Sequence, residues 1–234
     1  MSGMCAIKAI IFDMTDTILE FDFQRMWEEF GKIIKEHKST AHLAIEQFRG
    51  AYKEAYDSYQ RGEIQNDNDF WKKMFELLHI APKKGEFRSI MKGHLTSRRN
   101  FVKLHRHAGH IFGRLHKKYR LAILSNAVRN WAEYDWKFLK FNPGKYFDVQ
   151  LYSQDTRILK PEGKAFELAL RKLNVKANEA LMVGDNESQD ILGGNGAGLI
   201  TVFLANKYKL SGAVKPRFVV NSLEEIEKIA GRME

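Results

Sequence analysis

The 234-residue sequence contains little cysteine and proline, and it has no long apolar runs. The single cysteine, Cys5, excludes an internal disulfide, and no spacing of Cys and His resembles a zinc site. No apolar run approaches the roughly 18 residues that a membrane-spanning helix needs. The first residues show no charged start, long apolar stretch or small-residue cleavage site, so no signal peptide is expected. These absences predict a cytoplasmic protein with no membrane partner.

Acidic residues are missing from one long segment. The net charge is +9, and residues 98–120 contain eight Lys or Arg residues, four His and no Asp or Glu. Two interpretations stay open: a patch that attracts anions, or a solvated helix face beside a hinge. A metal site on His105, His107 and His110 is disfavoured because no cysteine or carboxylate lies nearby. Nucleic acid is not an expected partner, since no binding motif accompanies the charge.

The chain begins with a strand pattern and changes to helical spacing. Residues 7–12 form a short, largely apolar run that ends at Asp13, which is typical of a strand buried on both faces of a parallel sheet. Between about residues 21 and 101 only helical periodicity follows. Three apolar stripes predict the first three helices: Phe23, Met26, Trp27, Phe30 and Ile34; Leu43, Phe48, Tyr52, Tyr56 and Tyr59; Phe70, Trp71, Met74, Phe75 and Leu78.

Local signals mark the ends of several helices. Asp67 and Asn68 are the predicted N-cap of the third helix, and Pro82 separates it from a fourth. Pro161 is expected at the first position of a later helix. Ser222 and Glu225 form a capping box that opens the last one.

After residue 119 strands alternate with helices. Strands are predicted at residues 121–124, 149–152, 180–183, 199–204 and 218–220, with helices between them. This alternation predicts right-handed crossovers and a doubly wound, Rossmann-like parallel sheet of the α/β class. We therefore predict an α/β core at residues 1–19 and 101–234 and an inserted helical-bundle domain at residues 20–100.

Chemically capable side chains follow the predicted strands. Asp13, Ser125 and Asp185 come directly after strands, Lys160 lies in a following loop, and Asp190 lies one turn beyond Asp185. Each has an ordinary explanation by itself, as a helix cap, a turn or a solvated loop residue. In an open parallel sheet, however, ligands bind outside the carboxyl ends of the strands. Their common position therefore predicts a functional site.

Four segments carry a family resemblance: IFDMTDTIL, LAILSNA, ILKPE and VGDNESQD. In this order they resemble the four motifs of the haloacid dehalogenase superfamily, over residues 1–19 and 120–205. The helical insertion is similar in place and character to that family's helical cap. The resemblance implies a hydrolase, and it favours a magnesium-dependent phosphatase acting on a small phosphorylated substrate.

The resemblance also implies roles for particular residues. Asp13 would attack phosphorus and form an aspartyl-phosphate, and Lys160 would offset the charge of carboxylate and phosphate. Mg²⁺, which prefers oxygen ligands, would be held by Asp13, Asp185 and the carbonyl of Thr15. Asp190 would assist the metal through water or orient Lys160. Three residues would contact the phosphoryl group or brace the loop that binds it: Ser125, the backbone N–H of Asn126, and Thr17.

Thr15 departs from the family pattern. Most phosphatases of the family carry Asp here as the general acid and base, and a hydroxyl cannot supply a proton in the same way at neutral pH. A shifted register with Asp16 as the nucleophile does not remove the problem, because Thr17 is then out of place. Either the helical insertion supplies the acid or the enzyme is slow.

Two other functions stay open. A 2-haloacid dehalogenase would use Asp13 on carbon without a metal, but the acids at Asp185 and Asp190 would repel its anionic substrate. A degraded phosphatase that survives as a non-catalytic binding protein would account for Thr15 and the basic segment.

Overall fold

The computed structural model describes residues 6–233, so Cys5 lies outside the described part. The strands are β1 (Ala9–Phe12), β2 (Leu19–Phe21), β3 (Val102–Leu104), β4 (Arg120–Ser125), β5 (Val149–Tyr152), β6 (Ala180–Gly184), β7 (Ile200–Leu204) and β8 (Phe218–Val220). The helices are α1 (Phe23–Lys35), α2 (Ile45–Gln60), α3 (Asp67–Leu77), α4 (Lys84–Phe101), α5 (Ala108–Leu115), α6 (Arg129–Phe138), α7 (Ser153–Thr156), α8 (Gly163–Leu173), α9 (Leu192–Gly196) and α10 (Glu224–Gly231). Across residues 6–233, no helix is long and apolar enough to span a membrane.

The chain divides into two compact units. One contains the chain up to Glu20 and from Leu104 onward, and the other is Phe21–Lys103. The first unit is built on a six-stranded sheet of order β5-β4-β1-β6-β7-β8, in which every neighbouring pair is parallel. This arrangement confirms the predicted doubly wound α/β fold.

Strand β1 lies at the centre of this sheet and is buried on both faces. Ala9 and Ile11 belong to a core cluster that includes Phe166 of α8. On the other face Phe12 meets Phe112 of α5 edge-on, with ring centroids 5.1 Å apart. A parallel strand covered by helices on both sides needs a continuous apolar run, which is the pattern that predicts it from sequence.

The second unit is helical and is packed around aromatic rings. Phe30 of α1 contacts Phe48 of α2, Trp71 of α3 and His94 of α4, with ring centroids 5.4, 6.1 and 5.5 Å apart. Burial lowers the pKa of His94 to about 3, so its ring is neutral at pH 7. Nε2 of the neutral ring is hydrogen-bonded to the hydroxyl of Tyr52 at 2.9 Å.

Two predicted helix starts are wrong by a few residues. Asn66, rather than Asp67 or Asn68, caps α3, because its side chain accepts a hydrogen bond from the N–H of Asp69. Pro161 does not open α8. It lies in a turn closed by a hydrogen bond from the N–H of Glu162 to the carbonyl of Leu159, and the helix begins at Gly163.

The basic segment, residues 98–120, does not form one helix face. It covers the end of α4, β3, α5 and the start of β4. Several of its cations have structural partners: the guanidinium of Arg98 lies 4.6 Å from the ring centroid of Phe21, and Arg114 pairs with Glu227 at 2.8 Å. Arg120 donates a hydrogen bond to the carbonyl of Leu173. These contacts weaken the interpretation of the segment as a single anion-attracting patch.

A close approach at Gly193 generates a stability prediction. A Cβ atom there would lie 2.5 Å from the Phe166 ring and 2.9 Å from the backbone of Pro161. Gly193→Ala should therefore lower the free energy of unfolding by about 1–3 kcal/mol through overpacking. Gly196→Ala, on the same helix, has open space around its Cβ and should be neutral or stabilising. Urea denaturation measures both, and an equal loss in the two variants would contradict the packing described here.

Candidate active site

The ends of three neighbouring strands bring together residues that are distant in sequence. In the sheet register Phe12 pairs with both Ile123 and Val183, so Asp13 leaves the sheet between β4 and β6. Its N–H donates to the carbonyl of Val183 at 2.9 Å, which fixes its backbone. Ser125 at the end of β4 and Asp185 after β6 are buried at the same edge.

Lys160 connects two of the acids. Its side chain is buried, and its Nζ lies 2.5 Å from Oδ1 of Asp13 and 2.6 Å from Oδ1 of Asp190. Burial by itself would lower the pKa of Lys160, but the two carboxylates outweigh burial and raise the pKa above its usual value. The ammonium therefore stays charged at neutral pH.

The backbone holds Asp190 in place from the other side. Its Oδ2 accepts a hydrogen bond from the N–H of Asn186 at 3.0 Å, at the start of a short π-helical turn, Glu187–Ile191. A Cβ atom at position 184 would overlap the carboxylate of Asp190, so only glycine fits there. Gly184 therefore leaves room for the carboxylate of Asp190 to pack against the end of β6, and Asp185 follows directly after the strand.

Asp13, Asp185 and Asp190 form a buried cluster whose carboxylate oxygens lie within 4.8 Å of one another. Among residues 6–233 this is the only group of three or more Asp, Glu, His or Cys that could hold a metal ion, so His105, His107 and His110 do not form one.

Burial, and then the charges of Asp13 and Asp190, raise the pKa of Asp185 to about 8. Burial also raises the pKa of Asp190, against the opposing effect of Lys160. One ammonium among three carboxylates leaves an excess of negative charge, which a cation would relieve.

Two further predicted site residues, Thr17 and Asn126, stabilise this cluster through hydrogen bonds of their side chains. The hydroxyl of Thr17 is buried and donates to Oδ1 of Asp185 at 3.0 Å. The amide of Asn126 accepts from the N–H of Lys160 at 2.8 Å and donates to its carbonyl at 2.9 Å. The same amide donates to Gln189 at 3.2 Å. The motif resemblance implied only a backbone role for Asn126, and the attachment of its side chain to the Lys160 loop was not predicted.

Thr15 and Asp16 lie in the turn after Asp13. Thr15 is partly buried and bridges to Leu19. Asp16 is buried, and its side chain accepts hydrogen bonds from Lys207 and Tyr208 instead of joining the carboxylate cluster. Lys207 and Tyr208 belong to no motif and are more than 190 residues away in sequence, so no sequence signal indicated this contact.

Comparison with known proteins agrees with this architecture. A pyrophosphatase PpaX from Bacillus cereus is 34% identical over 120 residues, which are 49% of this chain and 53% of that protein, so the match spans about half of each. The pyrimidine 5′-nucleotidase YjjG from Escherichia coli is 26% identical over 231 residues, covering 94% of this chain and 96% of the relative.

The structure of a 2-haloacid dehalogenase from Pseudomonas syringae superposes on this chain with a TM-score of 0.71, over 97% of this chain and all of the other. The two sequences are 19% identical, so this similarity shows a shared fold.

One family model matches most of the chain. It covers residues 7–198, from two residues before β1 to the end of the turn that follows α9, and it describes a haloacid dehalogenase-like hydrolase. The matched range contains the whole carboxylate cluster, Lys160 and the helical unit. The resemblance seen in the four sequence motifs is confirmed: this chain is an enzyme of the haloacid dehalogenase-like hydrolase family.

Proposed function

We propose that this hydrolase is a magnesium-dependent phosphatase that removes a phosphoryl group from a small phosphate ester by way of Asp13. The main support for the proposal is the buried cluster of Asp13, Asp185 and Asp190 around Lys160. Phosphoryl transfer needs cations and hydrogen-bond donors near the transferred group. Lys160 supplies one cation, and the three acids could hold a metal ion as the second.

The donor set suits a hard divalent cation. Mg²⁺ prefers oxygen ligands, is commonly held by one or two carboxylates and keeps several waters. Asp13, Asp185 and the carbonyl of Thr15 would hold it. Asp190 already accepts hydrogen bonds at both oxygens, so its proposed part is to orient Lys160 or to reach the metal through water. The bound cation would neutralise charge on the phosphoryl oxygens.

The side chains of this chain would then divide the reaction between them. An oxygen of Asp13 attacks phosphorus while the ester oxygen leaves, and water later attacks the aspartyl-phosphate to release phosphate and restore Asp13. Lys160 keeps the attacking carboxylate oriented and offsets the charge of the incoming phosphate. Ser125 and the N–H of Asn126 would bind phosphoryl oxygens, and Thr17 would keep Asp185 in position.

The helical unit and the substrate are further parts of the proposal. We assign the helical unit, Phe21–Lys103, which is close to the predicted residues 20–100, as the cap domain, and the unit that contains the six-stranded sheet as the catalytic core. The relatives named above suggest pyrophosphate and pyrimidine nucleoside 5′-monophosphates as the first compounds to assay. Within a panel of phosphorylated metabolites, at least one should release phosphate only when Mg²⁺ is present. Chloride release from a 2-haloacid without metal would instead support a dehalogenase, and no turnover of either class would support a binding protein.

Replacement of the proposed nucleophile gives the first prediction. Asp13→Asn is nearly isosteric and should abolish phosphate release, because an amide cannot form the aspartyl-phosphate. Circular dichroism should show an unchanged fold. Phosphate release within about tenfold of the wild-type rate would contradict the assignment of Asp13 as nucleophile.

The raised pKa of Asp185 generates a pH prediction. Without metal this carboxyl binds a proton below about pH 8, so Mg²⁺ must displace that proton. The apparent Mg²⁺ affinity should rise with pH, by up to about tenfold per unit, and level off above the pKa. Asp185→Asn should bind Mg²⁺ at least roughly 10–100-fold more weakly and without this pH dependence.

Titration calorimetry at several pH values measures both effects. Glu179→Gln is the matched control, since it removes a buried carboxylate at the opposite end of β6. Equal Mg²⁺ affinity and equal pH dependence in wild type and Asp185→Asn would show that the metal is held elsewhere.

Thr15 generates a prediction about leaving groups. An aryl phosphate departs as a stable anion, whereas an alkyl alcohol needs a proton, and general acid catalysis contributes about 10²–10⁴-fold. If no other residue supplies this proton, wild type should prefer aryl over alkyl phosphates, and Thr15→Asp should reduce the preference by raising the alkyl rate. Steady-state kinetics on one substrate of each kind measures it. Fast alkyl hydrolysis in wild type that slows in Thr15→Asp would show that another carboxylate acts as the acid, with Glu20 and Asp22 as the first candidates.

A further inference from the structure

Asp16 has an unusual backbone conformation in the turn that follows the proposed nucleophile. Its φ angle is +57°, in the left-handed region that non-glycine residues adopt infrequently. Its N–H donates to the carbonyl of Leu19 at 2.5 Å, which closes the turn. On either side of it lie Thr15, whose carbonyl is a proposed metal ligand, and Thr17, whose hydroxyl donates to Asp185.

Three consecutive residues of the loop after β7 hold Asp16. Lys207 Nζ lies 3.0 Å from each carboxylate oxygen, and the hydroxyl of Tyr208 donates to Oδ2 at 2.8 Å. The side chain of Asn206 donates to the backbone carbonyl of Asp16 at 3.3 Å. We name Asn206, Lys207 and Tyr208 the turn clamp.

The same loop is also attached to the segment after β6. Both oxygens of Glu187 accept backbone hydrogen bonds from the loop, from the N–H of Ser211 at 2.7 Å and from that of Val214 at 2.8 Å. Glu187 lies two residues after Asp185. The loop therefore has one attachment in the turn after Asp13 and another beside Asp185, so it connects the two segments that carry the proposed metal ligands.

We propose that Asp16 and Lys207 are positioning residues for the metal site. The turn clamp holds Asp16 in its left-handed conformation, and this conformation directs the carbonyl of Thr15 and the hydroxyl of Thr17 toward the carboxylate cluster. Strained backbone persists where the surroundings fix it and is concentrated at functional sites. The inference rests on the proposed magnesium site, because the effect of the clamp would be exerted on Mg²⁺ binding.

An ordinary surface ion pair is the competing explanation of the Asp16–Lys207 contact. Lys207 is partly exposed, and pairs of that kind usually contribute little. The chain offers a close match in Lys8 and Glu179, where a partly exposed lysine also pairs with a buried carboxylate, at 2.6 Å. Lys8 pairs at the start of the sheet strands rather than at the site, so Lys8→Met is the control for Lys207→Met.

Two measurements on the full-length protein test the clamp. Titration calorimetry gives the Mg²⁺ affinity, and amide hydrogen exchange without metal gives the protection of residues 14–19, where the N–H groups of Asp16, Ile18 and Leu19 close the turn. Lys207→Met should weaken Mg²⁺ binding by up to about tenfold, the lower end of the loss caused by removing an outer-shell partner, because Lys207 acts one residue further from the ligands. It should also speed exchange at residues 14–19. Lys207→Arg should restore much of both, and Lys8→Met should change neither.

Two results would overturn the proposal. One is that Lys207→Met and wild type have the same Mg²⁺ affinity and the same exchange at residues 14–19. The other is that Lys8→Met and Lys207→Met change both measurements equally, which would indicate a general effect of charge. If wild type binds no Mg²⁺, the proposed phosphatase fails. The role of Asp16 and Lys207 at a metal site then fails with it, and the exchange data decide only whether the clamp holds the turn: faster exchange in Lys207→Met alone shows that it does, and unchanged exchange shows that it does not.

Discussion

The buried ammonium of Lys160 lies between Asp13 and Asp190, and much of the core unit serves to keep these three groups together. A buried charge is costly unless it is paired and hydrogen-bonded, and the carboxylates of Asp13 and Asp190 pair this one from two sides. The sheet places Asp13 at the end of its central strand, Gly184 leaves room for Asp190, and the amide of Asn126 holds the backbone of Lys160. The excess negative charge that remains is the physical basis for proposing a divalent cation.

The same cluster helps to separate the chemistries that this fold supports. Similarity to a 2-haloacid dehalogenase at 19% identity reports the fold alone, and a fold does not determine a reaction. The acids Asp13, Asp185 and Asp190 outnumber the single ammonium of Lys160, and this excess disfavours an anionic haloacid unless a cation is bound. A magnesium-bound phosphoryl group fits the same surroundings, and the curated relatives include a pyrophosphatase and a nucleotidase.

Local patterns were enough to predict the sheet, the helical insertion and the positions of Asp13, Ser125 and Asp185. Buried parallel strands leave continuous apolar runs, and the residues after them meet at one edge of the sheet. Contacts between side chains of distant segments leave no such trace. The side chain of Asn126 binds the backbone of Lys160, 34 positions away, and Lys207 binds Asp16, 191 positions away. Only the folded chain reveals these two contacts. Pro161 was misassigned for a related reason, since a turn closed by Leu159 and Glu162 competes with the helix start that proline favours.

In the proposed reaction Asp13 carries the phosphoryl group during turnover. Acid quenching of wild type during hydrolysis of a phosphate ester, followed by peptide mapping, tests it directly. We expect an acid-stable, hydroxylamine-sensitive acyl phosphate in the peptide that contains Asp13, formed only with Mg²⁺ and lost when substrate is exhausted. Rapid turnover with no phosphorylated peptide, or with the phosphoryl group on a different residue, would contradict it.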